Sequence, residues 1–226
     1  MTIASPGTRT ALLTGALGGI GRAIAHRLAS DGYRLVLTDL QTCEALLESP
    51  TVRERVVFQD ACDLASSDAV DSFANAALQV TSIDILVNNA ALQDPVPFSE
   101  LSALAFAQYL RINVQAPFQL SQRVVSGMIE RRWGRIINLV SGSAWQPPRA
   151  FVGYISSKMA LVGLTRSLAA ELGDFGITVN GITPTLTRHP GNEDALPREM
   201  WSDGRVRTMP QLRSQAIRDV SITMEL

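Results

Sequence analysis

The sequence predicts a doubly wound α/β domain built on a mostly parallel sheet. Six short runs of nearly continuous apolar residues are typical of strands buried on both faces. Longer segments with helical periodicity separate these runs, and this alternation favours parallel strands joined by helical crossovers. The predicted strands are Thr10–Leu13, Leu35–Leu37, Val56–Phe58, Ile83–Val87, Ile136–Val140 and Ile177–Ile182.

Four helices are predicted along the same stretch of chain. The pattern is clearest in the last one, where leucines recur every three or four positions and form one apolar stripe, at Leu161, Leu164, Leu168 and Leu172. No internal repeat or low-complexity segment suggests another architecture. The predicted helices are Arg22–Ser30, Ser67–Val80, Asn113–Arg132 and Tyr154–Leu172.

Composition narrows the classes of partner. The 226 residues carry a formal net charge of -1, which gives no general attraction to nucleic acid or to an anionic membrane. Cys43 and Cys62 have neither disulfide-framework nor metal-ligand spacing, and His26 and His189 are too isolated for a metal site. No run of 18 apolar residues predicts a membrane span. We therefore expect a cytoplasmic protein with a small-molecule partner and no bound metal.

The alternating pattern ends near Pro184. From Arg188 onward the chain is rich in charge and proline, and one amphipathic helix around Gln211–Val220 is conceivable. We therefore predict a dinucleotide-binding catalytic domain over residues 1–187, with residues 188–226 as an atypical tail of that domain.

A glycine-rich turn joins the first predicted strand to the first helix. Glycine permits a tight turn and a close approach of the backbone to a pyrophosphate, and the helix N-terminus offers unpaired N–H groups. Such a turn can also serve packing alone, but its place between a strand and a helix favours a Rossmann-type dinucleotide site. The cofactor-binding residues predicted here are Gly15, Leu17, Gly18, Gly19, Ile20 and Gly21.

Two carboxylates follow the next two strands. Asp39 is placed to bind the adenosine ribose hydroxyls and to repel a 2′-phosphate, and no Arg or Lys stands beside it or within the glycine turn. NAD is thus favoured over NADP. Asp63 is placed to contact the adenine, and Leu40 and Leu64 complete this side of the site. Either carboxylate has an alternative role as a helix cap, Asp63 for the helix that begins near Ser67.

Tyr154 and Lys158 are four residues apart and share one face of a predicted helix. An ammonium near a phenol favours the phenolate and lowers the phenol pKa, as proton transfer to a carbonyl or from an alcohol requires. Ser141 ends the fifth predicted strand, at the sheet edge where ligands bind. Asn113 begins a predicted long helix, where its amide either binds a relay water or caps the helix.

Together these motifs resemble the short-chain dehydrogenase/reductase family over roughly residues 8 to 187. The resemblance implies a Rossmann-type fold and an NAD-dependent oxidoreductase that acts on a small alcohol or ketone. The motifs follow the family's order: the Thr14–Gly21 turn, Asp63, Asn88-Asn89-Ala90-Ala91, Asn113, Ser141 thirteen positions before Tyr154, and Lys158.

The resemblance also implies a role for each residue. Tyr154 would donate or accept the proton and Ser141 would polarise the carbonyl. Lys158 would bind the nicotinamide ribose and depress the pKa of Tyr154, and Asn113 would anchor the water of a proton relay. The further cofactor contacts it implies are Asn89, Ala90, Tyr154 and Lys158, with Thr14 tied to the strand that precedes Asn89.

Three features depart from the family's pattern. Ala91 stands where the family usually has glycine, and Pro184-Thr185 replaces Pro-Gly. His189 takes the place of a threonine that contacts the cofactor carboxamide, for which Thr187 is a candidate substitute. The family's usual C-terminal helices and seventh strand are not recognisable after Arg188, so the seventh strand is predicted to be missing or replaced.

Several alternatives stay open at this point. The tail or a partner chain covers the gap left by the seventh strand, or the protein is a compromised enzyme. A dinucleotide-binding pseudoenzyme with a regulatory or scaffolding role is the second function considered, and epimerisation or dehydration at the same site is a third. The family's pattern implies a homodimer through the helices that start near Asn113 and Tyr154, with a tetramer as an extension.

Overall fold

The protein is described by a computed structural model that covers residues 9–184 and, as backbone only, residues 187–188 and 207–208. The predicted doubly wound sheet is confirmed. Its six strands are all parallel, in the order β3-β2-β1-β4-β5-β6. The strands are β1 (Thr10–Thr14), β2 (Arg34–Asp39), β3 (Val56–Ala61), β4 (Ile85–Asn88), β5 (Gly134–Leu139) and β6 (Ile177–Ile182).

Seven α-helices connect these strands. All four predicted helices occur, although two begin a few residues earlier than expected and one is part of a longer helix. Three further helices were not predicted, namely α2, α3 and α5. The helices are α1 (Gly19–Ser30), α2 (Glu44–Leu47), α3 (Pro50–Arg53), α4 (Ser67–Val80), α5 (Ala103–Leu110), α6 (Ala116–Glu130) and α7 (Val152–Leu172).

Hydrophobic layers cover both faces of the sheet. Successive residues of a strand point to opposite faces, so Leu12 packs with Phe73 of α4 and Leu120 of α6, whereas Leu13 packs with Ala25 of α1. Leu12, Leu13 and Leu120 are fully buried. Burying one such leucine contributes about 1.5–3 kcal/mol to folding. The apolar strands therefore form the rigid base on which the site stands.

Asn113 does not begin a helix, contrary to the prediction. It lies in a π-helical turn, Arg111–Gln115, between α5 and α6, so residues 103–130 form one continuous helical segment. Pro117 follows this turn directly, inside the continuous segment, where its missing N–H removes one of the regular helical hydrogen bonds. Single π turns are frequent at functional sites, so this turn is a candidate part of one.

Little of the predicted tail falls within the described residues. Thr187–Arg188 (β7) and Arg207–Thr208 (β8) form a separate two-stranded parallel pair. The domain boundary placed between residues 187 and 188 falls inside β7 and stays a prediction. The suggested helix over Gln211–Val220 lies outside the described residues. Among the helices that are described, none is both long and apolar enough to cross a membrane.

Candidate active site

The glycine turn has the geometry that requires glycine. Gly15 has a φ of +64°, and a Cβ atom there would lie 2.8 Å from the Cα of Ala90. A Cβ at Gly21 would lie only 2.0 Å from the carbonyl oxygen of Gly15. Both positions exclude a side chain, because real Cβ atoms do not approach other atoms so closely. At Gly18 the nearest atom to a Cβ is 3.4 Å away, so that position is permissive.

Thr14 ties the end of β1 to the chain that follows β4. Its hydroxyl oxygen accepts from the backbone N–H groups of Asn89 and Ala90, each at 3.1 Å. The Asn89 side-chain amide donates back to the carbonyl oxygens of Thr14 at 3.0 Å and Gly15 at 2.9 Å. The link implied by the family resemblance is therefore present, and it holds the turn against the next strand.

A cleft of about 550 Å³ opens beside this turn. The amides of Gly19, Ile20 and Gly21 are in the first turn of α1, where N–H groups have no helical carbonyl to bind, and the cap residue Gly18 has no side chain to accept from them. These donors suit the phosphates of a dinucleotide. The cleft is lined by Gly15, Leu17, Gly18, Gly19, Ile20, Gly21, Thr38, Asp39, Leu40, Cys62, Asp63, Leu64, Asn89, Ala90, Ala91, Leu92, Gln93 and Ile112.

Asp39 binds the glycine turn and does not cap a helix. One carboxylate oxygen accepts from the Leu17 amide at 2.8 Å, and the other accepts from the Leu40 amide at 2.8 Å. The capping alternative is also wrong for Asp63, since Ser66 caps α4 by accepting from the Ala69 amide. Both carboxylates line the cleft. Their predicted contacts with the adenosine part of a cofactor stay predictions.

Three of the four predicted catalytic side chains, Ser141, Tyr154 and Lys158, lie between the end of β5 and the start of α7. Ser141 follows β5, and its hydroxyl is close enough to the phenol of Tyr154 to lower the pKa of that phenol. Lys158 is 2 % exposed; its Nζ donates to the carbonyl oxygen of Leu139 at 2.6 Å and lies 5.6 Å from the centre of the Tyr154 ring. None of the three lines the glycine-turn cleft.

The pKa of Tyr154 departs from the sequence expectation. Burial raises it above its ordinary value of 10, and the hydrogen bond to Ser141 opposes that rise. Lys158, expected to depress this pKa, is not among its causes, and its Nζ is directed to Leu139. Burial also lowers the pKa of Lys158 itself from 10.5 to about 8. In this geometry the neutral phenol is the stable form, and Ser141 is the group that favours its ionisation.

The Asn113 side chain is occupied by protein contacts. Its carbonyl oxygen accepts from the Leu92 amide at 2.8 Å, and its amide donates to the Leu92 carbonyl at 2.9 Å and to the Ser157 hydroxyl at 2.8 Å. Ser157 in turn donates to the carbonyl of Tyr154. Both amide hydrogens are used and the side chain caps no helix, but its carbonyl oxygen keeps a second lone pair, so the predicted relay water stays a prediction. The Asn113 side chain joins the cleft to the helix that carries Tyr154.

Sequence reasoning missed a buried polar ladder behind the site. The side-chain amide of Asn88 donates to the side-chain oxygen Oδ1 of Asn138 at 2.8 Å. The side-chain amide of Asn138 donates in turn to the Thr165 hydroxyl at 2.9 Å. This ladder links β4, β5 and α7, and no sequence signal pairs residues so far apart. Ala91, by contrast, does line the cleft, as its place in the motif suggested. Thr187 is described only as backbone in β7, so its side-chain role is outside the described structure.

The family profile of short chain dehydrogenases matches residues 9–199. The chain belongs to this family of oxidoreductases. D-threitol dehydrogenase of Mycolicibacterium smegmatis is 38% identical over 181 residues, which are 79% of this chain and 70% of the relative. Acetoacetyl-CoA reductase of Cupriavidus necator is 31% identical over 180 residues, 78% of this chain and 73% of the relative.

Solved structures agree with this assignment. A 3-oxoacyl (acyl-carrier-protein) reductase from Agrobacterium tumefaciens, with NADP bound, superposes with a TM-score of 0.84 and 26% identity, over 94% of this chain and 88% of that one. A metagenomic short-chain oxidoreductase in complex with NADP gives 0.74 and 33% identity, over 80% of this chain and 83% of that one. The likeness therefore extends over most of the fold.

Proposed function

We propose that this protein is an NAD-dependent oxidoreductase that moves a hydride between the nicotinamide and a small alcohol or ketone. One observation carries the proposal. A serine hydroxyl that lowers the pKa of a neighbouring tyrosine phenol stands at the carboxyl edge of the sheet, with a buried lysine one helical turn after the tyrosine and a cleft that suits a dinucleotide beside them. Ligands of open α/β sheets bind at this edge.

The chain's own residues provide binding and proton transfer. The backbone amides of Gly19, Ile20 and Gly21 would hold the phosphates of the dinucleotide, whose nicotinamide would supply or take up the hydride. Ser141 would hydrogen-bond the substrate oxygen, and Tyr154 would give that oxygen its proton in reduction or remove it in oxidation. Lys158, whose Nζ binds the carbonyl oxygen at the end of β5, would hold the nicotinamide ribose.

The choice of NAD depends on Asp39. Its carboxylate is held at the adenosine end of the cleft by the Leu17 and Leu40 amides, where it would repel a 2′-phosphate. The two solved relatives described above contain NADP. The preference for NAD is therefore an inference from this chain's own residues.

The other functions considered have weaker support. A pseudoenzyme gains nothing from the comparisons, because the relatives named above are a dehydrogenase and reductases. Epimerisation or dehydration has no specific observation in its favour. Cys43 and Cys62 are both buried and free, which supports a cytoplasmic location as part of the proposal.

We also propose a homodimer, with a tetramer as an extension. Apolar side chains are exposed on the outer faces of the helices that the sequence assigned to this contact. Phe118 of α6 is 43% exposed and Met159 of α7 44%. Covering such side chains favours association. Light scattering after size exclusion measures the mass, and a strict monomer would contradict this part of the proposal.

Substitution of Tyr154 tests the proposed chemistry. The purified protein should oxidise at least one member of an alcohol panel with NAD, and Tyr154→Phe should lower the rate roughly 10²- to 10⁴-fold, since it removes the proton donor alone. Cofactor affinity, measured by NADH fluorescence, should hardly change. Oxidation by the native enzyme should speed up as pH rises, because burial raises the pKa of Tyr154 and oxidation requires the phenolate.

Tyr33→Phe is the matched control for this substitution. Tyr33 directly precedes β2, at the amino ends of the parallel strands, whereas the proposed site is at their carboxyl ends. Its substitution should leave turnover unaltered. If Tyr154→Phe retains most of its activity, the proposed proton transfer is wrong. If the native protein binds NADH but turns over no alcohol or ketone, the enzymatic proposal itself fails.

A further inference from the structure

A short segment after β4 is held at every second residue. At Leu92 both the backbone N–H and the carbonyl are bound by the Asn113 side chain. At Asp94 the carbonyl accepts from the Tyr109 hydroxyl at 2.6 Å. At Val96 the N–H donates to the carbonyl of Ala150 at 2.7 Å. The backbone of residues 92–96 is therefore held in place and forms a fixed wall. Its partners are two side chains of the long helical segment and one backbone carbonyl of the loop that precedes α7.

This wall connects the cleft to the catalytic tyrosine. Gln93, between two of the anchored residues, lines the part of the cleft that follows β4, which in the sheet order β2-β1-β4-β5 is nearest to β5 and Ser141 and farthest from Asp39. Ala150, which holds the other end, has a φ of +65° and is followed by Phe151, whose ring lies edge-on to the Tyr154 ring at 6.0 Å between centres. Positive φ is strained for alanine, so this loop conformation is retained against a local cost. The anchors thus fix the distance between the cleft and Tyr154.

Tyr109 is the central anchor, and it depends on a glycine. Its ring packs against Gly153, the residue before Tyr154, where a Cβ would lie 2.4 Å from the ring carbon Cδ2. Tyr109 is 3% exposed, and its hydroxyl donates its hydrogen bond to the Asp94 carbonyl oxygen. One side chain therefore contacts both the wall and the start of the catalytic helix.

We propose that Tyr109 is a positioning residue that sets substrate binding, because it holds Asp94, and with it Gln93, at a fixed distance from Tyr154. The inference rests on the proposed function, since it assigns the substrate side of that same site. Tyr109 does not itself touch the reacting atoms. Its loss should therefore change how well substrate is held, with little effect on the proton-transfer step.

Removal of the Tyr109 hydroxyl is the direct test. In Tyr109→Phe the ring still fills the space beside Gly153, but Asp94 loses its donor. KM for the substrate should rise roughly 3- to 10-fold, the effect of one lost hydrogen bond, while kcat and its pH profile stay within about twofold. Hydrogen exchange of the Val96 amide, measured without cofactor or substrate, should become faster. Tyr33→Phe should alter neither quantity.

Gly153→Ala reaches the same contact from the other side. The new methyl group must displace the Tyr109 ring and break its bond to Asp94, so KM and Val96 exchange should change in the same direction. Gly173→Ala is the control at the end of the same helix, because no atom lies within 4 Å of a Cβ there. In the double variant Tyr109→Phe/Gly153→Ala the effects should not add, since both remove one interaction.

The outcomes separate this inference from the proposed function. An unchanged KM in Tyr109→Phe, with the native enzyme active, would overturn the inference and leave the function intact. A raised KM without faster exchange at Val96 would also overturn it, because the hydroxyl would then act by another route. If Val96 exchanges faster in Tyr109→Phe but the native protein shows no turnover, Tyr109 remains an anchor of the wall and the proposed enzymatic function is refuted.

Discussion

The two ends of the site are built in different ways. At the cofactor end, backbone atoms do the work: Gly15 and Gly21 leave no room for a Cβ, and the amides at the start of α1 remain available. At the substrate end, side chains do it: Tyr109 and Asn113 reach across the chain to hold the backbone of residues 92–96. The first end depends on the absence of side chains and the second on their presence.

This difference has a consequence for substitution. The glycine turn and the amides at the start of α1 would bind the cofactor, which is the same whatever the substrate. The closely packed glycines of this turn tolerate almost no substitution. A wall held by side chains can be repositioned through one residue at a time, because each anchor is a separate hydrogen bond. We therefore expect variation at the substrate end to alter specificity, and variation at the glycine contacts to abolish cofactor binding.

The largest expected effect on cofactor binding is at Gly21. Gly21→Ala places a methyl group 2.0 Å from the Gly15 carbonyl oxygen. Moving the turn out of its phosphate-binding geometry, at the cost of about 1–3 kcal/mol typical of overpacking, should lower NADH affinity roughly 5- to 150-fold. NADH fluorescence titration measures this loss. Gly18→Ala, where the nearest atom is 3.4 Å away, should lose far less. Equal losses at the two glycines would show that backbone crowding does not distinguish them.

The same difference explains how much the sequence could predict. The strands were recognisable because a strand buried on both faces must be apolar throughout, and β6 was predicted with both ends correct. The glycine turn was recognisable because its conformation admits few residues. Local constraints of this kind leave a local signature in the chain.

Long-range polar contacts leave no such signature. The Asn113 amide was expected to bind water or cap a helix, because its spacing gives no hint of Leu92, its partner 21 residues earlier. The contact between Tyr109 and Gly153 was not anticipated, since α5 was not predicted at all. The expected effect of Lys158 on the Tyr154 pKa is absent for a related reason: chain spacing placed the two on one helix face, but burial is the main cause of both pKa shifts, and Ser141 is the neighbour that lowers the pKa of Tyr154.

Asp39 gives an effect of intermediate size. Because its carboxylate would repel a 2′-phosphate, NADH should bind at least about tenfold more tightly than NADPH, a difference of about 1.4 kcal/mol. Asp39→Ala should shrink that gap mainly by weakening NADH. Competitive fluorescence titration with the two cofactors measures both affinities. Equal affinities in the native protein would contradict the assignment to NAD.

The smallest expected effect concerns Lys158, which we propose to lie between the cofactor end and the substrate end of the site. It is the only lysine in the chain, so selective isotope labelling of lysine gives one side-chain signal in an NMR spectrum. That signal should titrate with a midpoint of about 8, because burial disfavours the ammonium. In urea the same signal should titrate near the ordinary 10.5. A native midpoint near 10.5 would show that the ammonium is solvated.

The depressed pKa of Lys158 also fixes the sign of a pH effect on stability. Below pH 8 the lysine is charged in both folded and unfolded chains, and the folded chain bears the full cost of burying the charge. Between about 8 and 10.5 the unfolded chain binds more protons, so this group's contribution to the free energy of unfolding rises with pH. Urea unfolding at several pH values should show that rise in the native protein and lose it in Lys158→Met. A rise of the same size in Lys158→Met would assign the pH dependence to other groups.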